Sequence, residues 1–544
     1  MRIALSFLSL AAALAAQEPV PPVLRVTTRL VQINVIVHDR KGQPVADLTK
    51  DDFVLLDQGR EQKLAYFSVE SALAPKPGAA PAPKLPPGTF TNRPELRASA
   101  PAAVTAILLD GLNTRFEDQA YARQQIVKFL TTQVQPSDRV ALYTLGRTIR
   151  VLHDFSSDAA SLLRVLARHR GEYAADLDAS EPAGSDTGME ELDAWLDEVN
   201  QNMSEFYTRN RVHTTLEALD AIAQHMARVP GRKNLIWVSG GFPFSIGLDN
   251  LGPTTGERTT FSSDLERTGR TLNNASVAIY PVDARGLVGI PEFSASNRKA
   301  DLRDGSKALR QIQRTHETME IMAERTGGKA FYNSNDIKGA VRKAIDDSRV
   351  TYVLGYYPAH DRWDGEWREI KLRVRRPRVE VSYRRGYHAI PDRPPGPQDR
   401  NNALREAVWS PLEATSIGLT VHLRPVEQPK PGLLRVTIGI DSRNVNLEQR
   451  EGRWTGKLEL LFVQGGGTAE KAGSIQDTLN LNLTPETYRE AMRKGIYLAK
   501  SIERLAGTAE FRLVVRDATT GAVGSVNVPL KDILPKAAAK ETGP

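Results

Sequence analysis

An apolar run, Val104 to Leu109, drives straight into Asp110, and Gly111, Leu112, Asn113 and Thr114 follow. An acid at the end of a buried strand, with a hydroxyl four residues on, can serve in two ways. Its oxygens tie the loop to backbone amides, as an Asx or Ser/Thr turn does, or they hold a ligand. More oxygen-bearing side chains stand near other helix and strand ends. Thr214 and Thr215 precede a helical stretch, Ser239-Gly240-Gly241 leaves the run NLIWV, and Asp283 closes VAIYPV. In an open α/β sheet, ligands sit beyond the carboxyl ends of the strands. These residues are therefore the candidates for one binding face.

Other chemistries drop out on residue type. Cys is absent, which excludes disulfides, thiolate catalysis and Cys-ligated metals. The nine His are scattered, with no HExxH and no close pair, so a His-built zinc site is not expected. WVSGG lacks the first Gly of a GxSxG nucleophile turn. ERTGGKA lacks the upstream Gly of a phosphate loop, and no GxGxxG follows a strand. No catalytic residue is expected, and the chain is not expected to be an enzyme. A net charge of +7 over 544 residues is too diffuse for a nucleic-acid interface.

The elements that must position the candidates follow from pattern. Forty per cent hydrophobic and 25% charged residues make an ordinary globular composition, and the length asks for several domains. MRIALSFLSLAAALAA has one Arg before a short apolar run closed by small residues. It predicts a cleavable signal peptide over 1–16 and a secreted or periplasmic protein, with no transmembrane segment after its removal. Pro-rich stretches predict linkers at 71–100 and 391–401. Residues 23–70 alternate apolar and polar, which predicts an antiparallel β unit with little core of its own. The alternating stretch 365–390 is expected to return and complete it. Residues 101–360 alternate strand and helix, which predicts a mostly parallel sheet with helices on both faces. Residues 402–536 are mostly turn-bounded strands, with one helix that has Thr484 at its N-cap and Pro485 first. They predict a β-sandwich-like domain. Residues 171–200 hold ten acids and no Lys or Arg, as a solvated insertion or as an overhang on the candidate face.

Several stretches together carry a family resemblance: VIVHDRKGQPVADLTKDDFVLLDQGREQKL, ILLDGLNT, NLIWVSGGFP, IYPVDARGL, AERTGGKAFYNSNDI, YVLGYYP and REIKLRVRRPRVEVSYRRGYHA. Over roughly 23–390 the chain resembles secreted VWFA-related proteins of acidobacterial type, and residues 101–360 resemble a von Willebrand factor A domain. The resemblance implies an α/β chain with a Rossmann-like, doubly wound A domain flanked by β-sandwich-like domains. Many A domains carry a metal-ion-dependent adhesion site, Asp-x-Ser-x-Ser with a Thr and an Asp from two further loops. Laid on this chain, Asp110, Thr114 and Thr214 match, with Thr215 as the alternative Thr. Leu112 stands at the first Ser and Gly240 at the second Asp. What remains implies a degenerate site holding Mg²⁺ or another divalent cation weakly, or a loop tie with no ion. The function implied is an exported module that binds a protein partner at the carboxyl face of its sheet. The alternative is a structural or assembly scaffold of the cell envelope without metal.

Overall fold

The computed structural model describes residues 30–71, 85–93, 96, 104–135, 137–180, 187–229, 232–241, 267–287, 302–360, 362–389, 404, 407–408, 410, 412–426, 432–466 and 473–533. The expected signal peptide 1–16 and linker 391–401 lie outside the described residues.

In chain order, four strands open the fold: β1 (Val31–Asp39), β2 (Phe53–Asp57), β3 (Arg60–Gln62) and β4 (Leu64–Ser71). The short β5 (Thr89–Thr91) follows. Next come β6 (Val104–Asp110), α1 (Phe116–Thr132), β7 (Val140–Leu145), β8 (Ile149–Ser156), α2 (Ala159–Arg168), α3 (Ala175–Ala179) and α4 (Glu190–Met226). Then β9 (Lys233–Ser239), β10 (Val277–Asp283), α5 (Leu302–Thr326) and α6 (Ile337–Asp347) complete the middle of the chain.

The middle is a five-stranded sheet in the order β10-β9-β6-β7-β8. Its strands are parallel except β8, which runs antiparallel at one edge. Every residue of β6, β7, β9 and β10 is buried, which is why those strands read as near-continuous apolar runs rather than alternations. One sheet face packs Ile126 and Phe129 of α1, Leu162 and Leu166 of α2 and Val341 of α6. The other packs Leu216, Leu219, Ile222 and Met226 of α4 and Met319 of α5. The chain is thus a mixed α/β protein with several sheets.

Next come β11 (Val350–Tyr356), β12 (Trp367–Val374), β13 (Val379–Tyr383) and β14 (Gly386–His388). They join the opening strands in two four-stranded sheets, β13-β1-β11-β4 and β14-β12-β2-β3. Ile33, Phe53, Leu55, Tyr352, Leu354, Tyr356, Ile370 and Leu372 share the core between them. One boundary needs correction. The sequence reading keeps TYVLGYYP inside the A domain ending at 360, whereas β11 leaves the parallel sheet after α6 and lies antiparallel between β1 and β4. The physical reason is core supply. The opening strands are too few to bury a face, and Tyr352, Leu354 and Tyr356 fill it. Among the described residues, the outer edge of β10 is met by a single bridge, Val282 to Phe331.

The last part holds β15 (Leu419–Val426), β16 (Leu433–Ile440), β17 (Glu448–Arg450), β18 (Arg453–Gly465), β19 (Gly473–Leu483), α7 (Pro485–Lys494), β20 (Ile496–Glu503), β21 (Glu510–Asp517) and β22 (Val523–Pro529). One sheet runs β20-β16-β15-β5, and the other pairs β17, β18, β21 and β22 with β19 beside β18. A second correction concerns the linker 71–100. Thr89–Thr91 is a strand on β15. The Asn92 amide donates to the carbonyls of Ala414 and Ile417 and accepts from the Leu419 amide. Buried backbone groups need partners, so this piece is pinned rather than solvated. The α/β part is bolted to the last part in turn. Arg228 pairs with Asp441 at 2.9 Å, and the Thr415 amide donates to Gln224 O.

Tyr352 tests the placement of β11. Its hydroxyl donates to Val45 O at 2.8 Å and accepts the Leu48 amide at 3.1 Å. Tyr352→Phe leaves that amide unpaired and is expected to cost about 1–3 kcal/mol. Tyr352→Ala also opens a core cavity and is expected to cost about 3–5 kcal/mol. Urea unfolding of the two variants checks both values. Were β11 a strand of the parallel sheet, Tyr352→Phe would leave the anchoring of residues 45–48 unchanged by hydrogen exchange.

Candidate functional site

Asp110 is the last residue of β6 and is almost fully buried. The chain must leave the strand there. The amides of Gly111 and Leu112 both donate to Leu145 O, at 2.7 and 3.0 Å, which folds the turn over the end of β7. Leu112 then drops its side chain into the core on the α4 side of the sheet, and Asn113 and Thr114 face back toward the strand ends.

Four donors converge on the Asp110 carboxylate. The Asn113 amide meets Oδ1 at 3.0 Å. Asn113 Nδ2, Trp237 Nε1 and Ser239 Oγ each meet Oδ2 at 2.9 Å. Trp237 and Ser239 lie two apart on β9, so both turn to one side of the sheet. Ser239 Oγ also stands 2.6 Å from Gly241 O, and its single proton serves one acceptor at a time. Burial pushes the Asp110 carboxyl up from the usual carboxylate range. The hydrogen bonds from Asn113, Trp237 and Ser239 oppose that without cancelling it.

A guanidinium completes the cluster. Arg211 sits on the buried side of α4 at 3% exposure. Its Nε and Nη2 donate to Asn113 Oδ1 at 3.0 and 2.9 Å, and its Nη1 donates to Ser180 Oγ at 2.7 Å. One helical turn on, Thr215 Oγ1 donates to Arg211 O and accepts Asn113 Nδ2 at 3.0 Å. The order is therefore Asp110, Asn113, then Arg211 and Thr215. Thr114 Oγ1 accepts the Gly240 amide at 2.8 Å. Gln119 binds the loops from the side, with Nε2 at the carbonyls of Gly111, Thr114 and Glu172.

Of the candidate metal residues, the structure brings Asp110 and Thr114 to this cluster and leaves Thr214 out of it. Thr214 is not in a loop before a helix, because α4 begins at Glu190. One residue advances a helix by about 100°, so Thr215 faces the cluster and Thr214 does not. Asp283 is engaged elsewhere. It takes a two-pronged pair from Arg285, at 2.9 and 2.7 Å, and lies 3.2 Å from His316 Nε2. Burial works to raise its carboxyl, but those partners outweigh it and hold it below the usual range.

A divalent cation asks for oxygen lone pairs that are free to point at it, and this donor set does not fit one. The single carboxylate faces hydrogens, and Arg211 already places a positive charge on Asn113. A Cβ at Gly240 would come within 3.2 Å of Thr114 Cγ2, so Thr114 would have to give by a few tenths of an ångström to admit a side chain there. Among the described residues no group of three His, Asp or Glu is placed to hold a metal. Ser239 is fully buried, and among the described residues no hydrogen bond joins it to a histidine.

Arg211 and Trp237 are the members that sequence reasoning missed, whereas Ser239 stood among the candidates at the strand ends. A charged residue at the apolar side of a helix, four before Thr215, is the signal that could have found Arg211. Beside the cluster, on the same face, opens a cavity of about 330 Å³ lined by Asp110, Thr114, Phe116, Gln119, Arg123 and His169. Burial holds His169 below the usual imidazole range. Phe116 is exposed at the cavity rim.

No protein-family model matches the chain, and no curated protein matches it. Among solved structures, the chain is similar to an aerotolerance-related membrane protein from Bacteroides fragilis NCTC 9343 carrying multiple mutations to serines. Identity is 16%, over 45% of this chain and 98% of that one, with a TM-score of 0.22. It is similar to the conserved hypothetical protein BatB from Bacteroides thetaiotaomicron at 12% identity, over 45% and 97%, with a TM-score of 0.24. It is also similar to a von Willebrand factor type A structure from Catenulispora acidiphila at 8% identity, over 86% and 73%, with a TM-score of 0.22. Likenesses this faint bear no argument, and the function has to be argued from the geometry of the chain itself.

Asp110→Asn keeps the shape and replaces an acceptor oxygen with a donor facing Trp237, Ser239 and Asn113. It is expected to cost about 1–3 kcal/mol, read as a lower urea midpoint. The pH dependence has a sign. A carboxyl raised by folding stabilises below its unfolded value near 4 and loses that contribution as pH climbs through the folded value. Asp110→Asn should remove that part of the slope. An unchanged midpoint would mean that the four donors do not depend on this carboxylate.

Proposed function

We propose that this protein is an exported, non-enzymatic binding module that engages a protein partner at the carboxyl face of its parallel sheet. In this reading it is a secreted VWFA-related protein of acidobacterial type. It is delivered by a signal peptide to the periplasm or exterior, with a Rossmann-like A domain between β-sandwich-like domains. Its adhesion site is degenerate, and the face works without a metal ion. The observation that carries the reading is that the polar cluster at the strand ends is satisfied from within. Such a cluster holds the loops rigid, and the apolar rim beside it, Phe116 and the cavity, is left to meet a partner. No helix among the described residues is long and apolar enough to cross a membrane.

A scaffold role in the cell envelope has its own support in the bolts between the parts. Arg228 reaches Asp441 and Asn444, and Asn92 is held by Ala414, Ile417 and Leu419. Such bolts suit a body that holds its flanking β parts in fixed positions.

A photo-crosslinking side chain at position 116, against one at exposed Arg373 on β12, separates the two. The module reading expects partner capture from position 116 in envelope extract, unchanged by a chelator. Capture from position 373 alone would favour the scaffold, and capture abolished by the chelator would contradict the metal-free face.

A further inference from the structure

α4 is 37 residues long, about 55 Å at 1.5 Å per residue. Only its second half is packed, and the first residue of α4 to be buried is Arg211. The helix ends just before β9 begins, and Arg211 meets the cluster at the other end of the sheet. Its first twenty or so residues therefore project beyond the carboxyl face by about 30 Å. α3 and the residue after it prop this half on one side, where Asn210 Nδ2 donates to Asp176 and Ser204 Oγ to Ser180 O.

The projecting half is not a plain polar helix. Leu192, Trp195, Val199, Met203 and Phe206 recur at spacings of three and four, which puts them on one stripe. Leu192 is 40%, Trp195 58%, Met203 50% and Phe206 63% exposed. A helix in water gains nothing from such a stripe unless something covers it. Carboxylates run along one side of it by the same helical geometry, Glu191, Glu198 and Glu205, and Asp193 and Asp197 add negative charge toward the back of the helix. A second copy of this helix laid antiparallel would set that row against itself. An anionic lipid surface would meet the same repulsion.

We propose that the projecting half of α4 is a docking rail for a basic amphipathic segment of a partner protein, with apolar residues spaced three and four apart and Lys or Arg on their flanks. This rests on the reading of the carboxyl face as a protein-binding face and names the chemistry of the partner. Apolar anchors supply the affinity, and the Glu191, Glu198 and Glu205 row sets orientation and on-rate.

The test uses the full chain and a synthetic peptide of about 18 residues with Leu at i, i+3, i+4 and i+7 and Lys elsewhere. Controls are a scrambled peptide and one with Glu for Lys. Trp195→Ser, Met203→Ser and Phe206→Ser together touch no core and are expected to weaken binding by about tenfold or more. Glu191→Gln with Glu198→Gln is expected to weaken it less and to flatten its salt dependence. Binding that survives the triple variant, or a Glu peptide that binds as well, overturns the proposal. So does a Trp195 shielded from a soluble quencher in the free protein, a dimer that the triple variant dissolves, or triple-variant-sensitive adsorption to zwitterionic vesicles. Crosslinking from position 116 reports separately. If it persists while the peptide arm fails, the module reading stands and the rail does not.

Discussion

A carboxyl at the end of a strand buried on both faces needs hydrogen-bond donors, and Asp110 is almost fully buried. The chain supplies the donors from two places: its own turn through Asn113, and the neighbouring strand through Trp237 and Ser239. Two of these donors have a second duty. Asn113 carries the contact on to Arg211 and Thr215, and Ser239 carries it to the Gly240–Gly241 loop. The strand-end loops and the middle of α4 are thus fixed by one acid. A buried network that is fully satisfied is rigid, and it is costly to break at any one member.

Around the Asp110 carboxylate this chain places an amide, an indole and a hydroxyl, with the Arg211 guanidinium one step behind on Asn113. Arg211 places its positive charge on Asn113 Oδ1. It also anchors α4 at the level of the sheet edge, below the half of the helix that projects. Rigidity at Arg211 and exposure at Trp195 and Phe206 are two halves of one element.

How much of this was legible depends on the strength of local periodicity. Apolar runs such as AILL and NLIWV announced buried parallel strands, and Thr484-Pro485 announced the start of α7. The destination of TYVLGYYP was not legible. A seven-residue strand buried on both sides looks the same in a parallel sheet as between β1 and β4, and only the competition for core decides. Thr89–Thr91 was hidden among prolines because its partners lie more than three hundred residues on. At the site, Asp110 and Thr114 were readable from their place after a strand. Thr214 stood ahead of Thr215 because both read as lying before a helix, which concealed the early start of α4 and the phase of its turns. Arg211 was missed because a charge inside a helix normally reads as solvated.

The central claim is that hydrogens, not a cation, fill the space around Asp110. The indole proton of Trp237, whose nitrogen lies 2.9 Å from Asp110 Oδ2, reports on that space directly. Its resonance is assigned by comparison with Trp237→Phe. The account predicts a slowly exchanging indole signal whose position and width are unchanged by Mg²⁺ and by paramagnetic Mn²⁺. Broadening of that signal by Mn²⁺, reversed by Mg²⁺ and absent in Asp110→Asn, would place an ion at the carboxylate and contradict it.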